Sequence, residues 1–108
     1  MNGQLDRFIR DLMSNTQERK ILWAASSIKD EYRLDMPSGV LMISNTHIPE
    51  SKIVLHFFRK LGEDQILCEA KTTEPDYSLL FALYSCVHNS FNVTIDSLLS
   101  ELHQIMDK

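Results

Sequence analysis

The chain predicts an α+β fold, on three observations. Apolar residues recur with helical spacing at both ends. The middle alternates with period two. Turn-forming residues sit where one pattern gives way to the next. The expected order is an N-terminal helix, an antiparallel meander of about four strands, and two C-terminal amphipathic helices, in a single domain spanning 1–108.

The first helix follows from Leu5, Phe8, Ile9, Leu12 and Met13, which recur at i, i+3, i+4, i+7 and i+8 with Asp6, Arg7, Arg10 and Asp11 on the other side. It is expected over Gln4–Ser14, fraying toward Glu18, with Asn15 and Thr16 as stop signals. Lys20 to Ala25 is short, apolar and unperiodic; it reads as extended, with Trp23 anchoring the helix to the sheet.

Four strands are expected next. Tyr32 to Met36 alternates, Pro37-Ser38-Gly39 turns the chain, and Val40 to Ser44 completes a hairpin. Asn45 to Ser51 is a polar connection containing Pro49. Ile53 to Arg59 forms a strand, Leu61 to Asp64 a turn, and Gln65 to Lys71 the last strand.

The last third opens on a helix start at Thr73-Glu74-Pro75. Its stripe runs through Leu80, Leu83, Tyr84, Val87 and Phe91, then restarts as Ile95, Leu98, Leu99, Leu102, Ile105 and Met106. Two helices joined at Asn92 are expected, together covering one face of the sheet, with Asp96 in the first turn of the second where the helix dipole favours an acid.

Composition excludes several classes of function. A 44% hydrophobic, 24% charged chain is ordinary for a globular protein. The net charge of −4 falls mostly on residues 72–108, where Lys108 is the one Lys or Arg. Nucleic acid is thereby disfavoured as a main partner, because counterion release needs clustered cations. The one local basic set is Arg7, Arg10, Arg19 and Lys20. No run approaches the ~18 apolar residues of a membrane span. The acidic polar side of the last helix opposes binding to anionic lipid. The first residues show no basic stretch followed by an apolar run, so a cytoplasmic location is expected.

Candidate chemistry is sparse. Cys68 and Cys86 lack CxxC spacing and read as reduced packing residues. His47, His56, His88 and His103 show no metal-type spacing, and no glycine-rich phosphate loop or nucleophile elbow is present. No metal or cofactor is therefore implied. Cys86 and His88, two apart on a helix, point in different directions. An enzyme would have to assemble Cys68, His56 or His103 from separate elements.

The strongest functional hint lies in the strands. A sheet covered on one side should alternate polar and apolar residues. Val40-Leu41-Met42-Ile43 and Ile53-Val54-Leu55, with Phe57 and Phe58, are apolar on both faces instead. Either helices cover both faces and bury these residues internally, or a partner covers one. In the second case Val40, Met42, Val54, His56 and Phe58 form the candidate interface, since an exposed apolar face commonly marks an association surface.

Leu80-Phe81-Ala82-Leu83-Tyr84-Ser85-Cys86-Val87 and Ile95-Asp96-Ser97-Leu98-Leu99-Ser100-Glu101-Leu102 resemble a set of small uncharacterised bacterial helix–sheet–helix proteins. Their C-terminal signature runs LxxLYxxV, a short spacer, then (I/L)DxxLxxL. The resemblance implies a bacterial setting and a Trp after the first helix, where Trp23 stands. Val87-His88-Asn89 departs from it, at the place of a frequent basic pair. It implies no activity and no site residue. The expected function is a non-enzymatic protein–protein interaction module of accessory, immunity-like or regulatory type, expected to homodimerise. A small motif-less hydrolase or transferase is the alternative, and a nucleic-acid-binding regulator the third reading.

Overall fold

A computed structural model describes residues 1–47 and 50–106. Pro49, Asp107 and Lys108 lie outside the described residues. The order is α1 (Gly3–Gln17), β1 (Ala24–Ala25), β2 (Glu31–Met36), β3 (Gly39–Thr46), β4 (Lys52–Arg59), β5 (Gln65–Lys71) and α2 (Tyr77–Met106). The class is α+β, as the periodicities predict. All neighbouring strands pair antiparallel in sequence order. The described residues form five strands rather than about four, because the extended segment after Trp23 lends Ala24 and Ala25 to the edge of β2.

Helix α1 begins where Asn2 Oδ1 accepts the Leu5 N–H at 2.8 Å, satisfying one of the free donors of the first turn. It ends in a left-handed cap. The Arg19 N–H donates to Thr16 O and the Lys20 N–H to Asn15 O, with Arg19 at φ 60°. The expected stop at Asn15 and Thr16 is thus displaced by one turn. Thr16 stays helical because its hydroxyl donates to Leu12 O at 2.7 Å and accepts the Trp23 Nε1–H at 3.0 Å. Trp23, 6% exposed, therefore locks the end of α1 to the strand that follows, as its position predicts.

One face of the sheet carries the core. Leu41, Ile43, Ile53 and Leu55 are fully buried beneath Leu80, Leu83 and Val87 of α2, and Ile9 and Leu12 bring α1 against α2. The β2–β3 hairpin pairs Met36 with Gly39, leaving Pro37-Ser38 as its two-residue turn. A β-bulge falls in the β4–β5 ladder, where Leu55 faces Cys68 but His56 already faces Ile66, so Leu67 is the extra residue.

The C-terminal third corrects the expectation of two helices. Helix α2 is one uninterrupted element of 30 residues, starting at Tyr77 rather than Thr73. The segment 72–76 is a turn in which Glu74 Oε1 accepts the Lys71 N–H and Glu74 O accepts the Tyr77 N–H. No Gly or Pro follows Pro75, so nothing forces a break at Asn92. The stripe also keeps phase. Tyr84, His88, Phe91, Ile95, Leu98, Leu102 and Ile105 follow strict 4-3 spacing, with the polar His88 as one seam member. Asn92 Nδ2 reaches His88 Nε2 at 3.1 Å, one turn back along the same helix. Asp96 consequently sits mid-helix and has no terminal dipole to complement.

Candidate interaction surfaces

Two apolar surfaces remain outside the core. The first is the outer face of the sheet. Pleat and register place Val40, Met42, Val54, His56 and Phe58 together on it. Cross-strand partners are Val40 with Phe58, Met42 with His56, and His56 with Ile66, and the His56 and Phe58 ring centroids lie 4.1 Å apart. No helix among the described residues covers this face. Its five central side chains are half-buried by one another, while Ile66 at the margin is 53% exposed. Charges rim the patch as pairs: Arg33 with Asp35 at 2.8 Å, and Lys52 with Glu69 at 3.9 Å. Such pairing leaves little net field, and exposed pairs of this kind add little stability.

The second surface is the distal half of α2, which the sequence reading assigned to covering the sheet. The proximal half does so; every residue from Asn92 to Met106 is exposed. At 1.5 Å per residue the helix runs about 20 Å past the body, in keeping with a longest molecular extent of 53 Å. Ile95 is 40% exposed, Leu98 54%, Leu99 50%, Leu102 49%, and Ile105 and Met106 71% each. This stripe was legible as amphipathic. Its exposure was not, because a stripe facing a core and one facing solvent share one periodicity.

Where α2 leaves the body, a polar and aromatic cluster closes the end of the sheet. Tyr32 shares a 2.5 Å hydrogen bond with His88 Nδ1, and the Tyr84 hydroxyl donates to Asp30 Oδ1 at 3.3 Å. Phe91 stands 5.5 Å from the Tyr32 ring. Asp30 adopts φ 60° and its carbonyl accepts the Asn45 N–H, so the turn before β2 is held from both sides. Sequence reading missed this cluster, whose members lie up to 61 positions apart in the chain. Burial chiefly, then the Asp30 carboxylate, pushes the Tyr84 phenol up to about 12 and moves Tyr32 in the same direction. Because the folded state favours neutral Tyr84, its contribution is complete below the unfolded value of about 10 and disappears as pH rises through about 12. Stability is therefore expected to fall between about pH 10 and 12. Alkaline titration of tyrosinate absorbance should show a late step that Tyr84→Phe removes; an unchanged curve in that variant would refute the assignment.

The candidate catalytic residues are not brought together. His56 lies on the outer face, Cys68 pairs with Leu55 on the inner face, and His103 is exposed on distal α2. Burial raises both thiols, with Asp76 the next cause at Cys68, which disfavours the nucleophilic thiolate. Cys86 Sγ donates to Met13 O at 3.5 Å between the helices, a packing contact. An open groove of about 240 Å³ beside it is lined by Thr16, Arg19, Cys86, Asn89 and Val93, and holds no acid–base pair. No group of three or more metal-ligating side chains occurs among the described residues. Of the basic set, Arg10 pairs with Asp6 at 2.7 Å and Lys20 with Glu18 at 2.9 Å, so half its charge is met locally. No described helix is long and apolar enough to cross a membrane.

The architecture defines a class by shape: a five-stranded meander with helices on one face and one helix overrunning the sheet. Searches of protein-family models, curated proteins and solved structures return no match to this chain.

Proposed function

We propose that the chain is a non-enzymatic protein–protein interaction module that works by burying apolar surface against a protein partner. The observation that carries this reading is that the apolar stripe of α2 does not stop where the body stops. Apolar side chains cost free energy in water, and contiguous patches beyond a few hundred Å² commonly mark association sites. The outer sheet face adds a second patch, with Val40, Met42, Val54, His56 and Phe58 at its centre. Its paired rim suits a protein surface better than a polyanion.

The sheet face is tested with charges placed opposite complementary cross-strand neighbours, so that the fold is retained. Met42→Glu stands across from Arg33, and Val54→Lys across from Glu69. The double variant should unfold within about 0.5 kcal/mol of the parent, as followed by Trp23 fluorescence, yet lose the protein that the immobilised parent retains from its native host. A parent chain that retains nothing and never self-associates would overturn the reading.

A further inference from the structure

We infer that distal α2 is a self-complementary handle, through which two copies of this chain pair as an antiparallel helical dimer with α2 residues 95–105 overlapping. This rests on the protein-interaction reading above and names the partner of one of its two surfaces.

The seam decides the register. Ile95, Leu98, Leu102 and Ile105 occupy alternating positions of a heptad that begins on the body with Tyr84, His88 and Phe91. Reversing one copy about a two-fold axis places Ile95 against the partner's Ile105 and Leu98 against the partner's Leu102. Four closed layers result, each drawn from the same patch on both copies, as an isologous interface requires. Leu99 and Met106 border the seam on one side and widen it.

Sterics decide the direction. On an ideal helix, the distal stripe points within about 50° of the buried face of the proximal half, the side on which Tyr84, His88 and Phe91 meet Tyr32 of β2. A parallel partner would lie on that side along the whole helix. Its proximal half would then run through space already filled by the first sheet. In the antiparallel arrangement each partner helix occupies only the overhang, and its body begins beyond the far end. The overhang of about 20 Å matches the length of the four layers.

Charge and area are compatible with a copy of the same chain. Distal α2 carries only Asp96 and Glu101 as charges among its described residues. Asp96 lies off the seam, and Glu101 borders it near the two-fold axis, where its repulsion with its own copy is exposed to solvent and small. The exposed stripe offers on the order of 600 Å² of apolar surface per copy, near the ~800 Å² per partner of a standard interface. The helix is already nucleated by the folded body, which removes the main cost of ordering a segment this short.

Light scattering on the full chain should give twice 12.5 kDa. Leu98→Glu with Leu102→Glu should yield a monomer, weakening association at least ~100-fold. Both side chains are about half exposed in one copy, so the buried Trp23 fluorescence and the unfolding midpoint of the body should persist. Orientation is read from disulfides located by mass spectrometry. Ile95→Cys with Ile105→Cys should join residue 95 to residue 105 of the second copy, whereas Ile105→Cys alone should not cross-link. A parent that stays monomeric at hundreds of micromolar, a dimer indifferent to the glutamates, or a bond between two copies of Ile105→Cys would each overturn the inference. The last two leave the interaction reading standing. A monomer that also retains no protein through its sheet face removes both.

Discussion

Replacing Gly39 with alanine is expected to cost about 3 kcal/mol, at the upper end of overpacking losses because the obstruction is backbone. A Cβ at this position would collide with Phe58 O and come within 3.0 Å of Arg59 Cα and Phe57 Cζ. Gly39 opens β3 opposite Arg59, so it lies at the closest approach of two paired strands. A flexible side chain could swing away, but the obstruction here is the β4 main chain, held in place by its pairing with β3. The expected result is a large drop in urea midpoint with the m-value unchanged. Gly3→Ala is the control. Nothing lies within 4 Å of that position, and alanine at an open helical site should stabilise by about 0.5 kcal/mol. A loss at Gly39 below about 1 kcal/mol would show that the strands relax apart.

Trp23→Ala is the second large effect, expected at about 4 kcal/mol. The indole fills the junction between the end of α1 and the start of the sheet, and its N–H belongs to a relay through Thr16 to Leu12 O. The two contributions can be separated. Trp23→Phe keeps most of the ring volume and leaves the Thr16 hydroxyl bonded to Leu12 O, so only about 1–2 kcal/mol should be lost. Thr16→Val removes the acceptor while leaving a buried indole N–H, and should also cost about 1–3 kcal/mol. Urea unfolding followed by helical circular dichroism reads all three. If Trp23→Phe proved as damaging as Trp23→Ala, packing at this junction would be secondary to the hydrogen bond.

Both effects show where residue types mislead. Gly39 follows Pro37 and Ser38 and reads as a turn glycine. Its actual constraint is a neighbour 19 positions away in sequence, which no local pattern contains. Trp23 was legible as an anchor because a lone Trp beside an apolar run rarely faces water. Thr16 has the β-branch and hydroxyl of a helix stop, which weaken helices. Instead it bonds back to Leu12 and receives the indole.

The α+β class and the faces of β3 and β4 follow from periodicity, because side-chain direction in strands and helices is set by backbone geometry. The edge strand Ala24–Ala25 does not, being too short to alternate. Periodicity is silent on what lies opposite a face. One stripe in α2 serves two environments: Leu80, Leu83 and Val87 are sealed against the sheet, while Leu98, Leu102 and Ile105 stand in solvent. Only the tertiary structure could separate them, since the sheet ends near Phe91 and the helix does not. The continuity of α2 through Asn92 was decided the same way. A polar residue suggests a break only when flanking segments need to diverge, and here one continuous helix satisfies the body and carries its remaining turns into solvent.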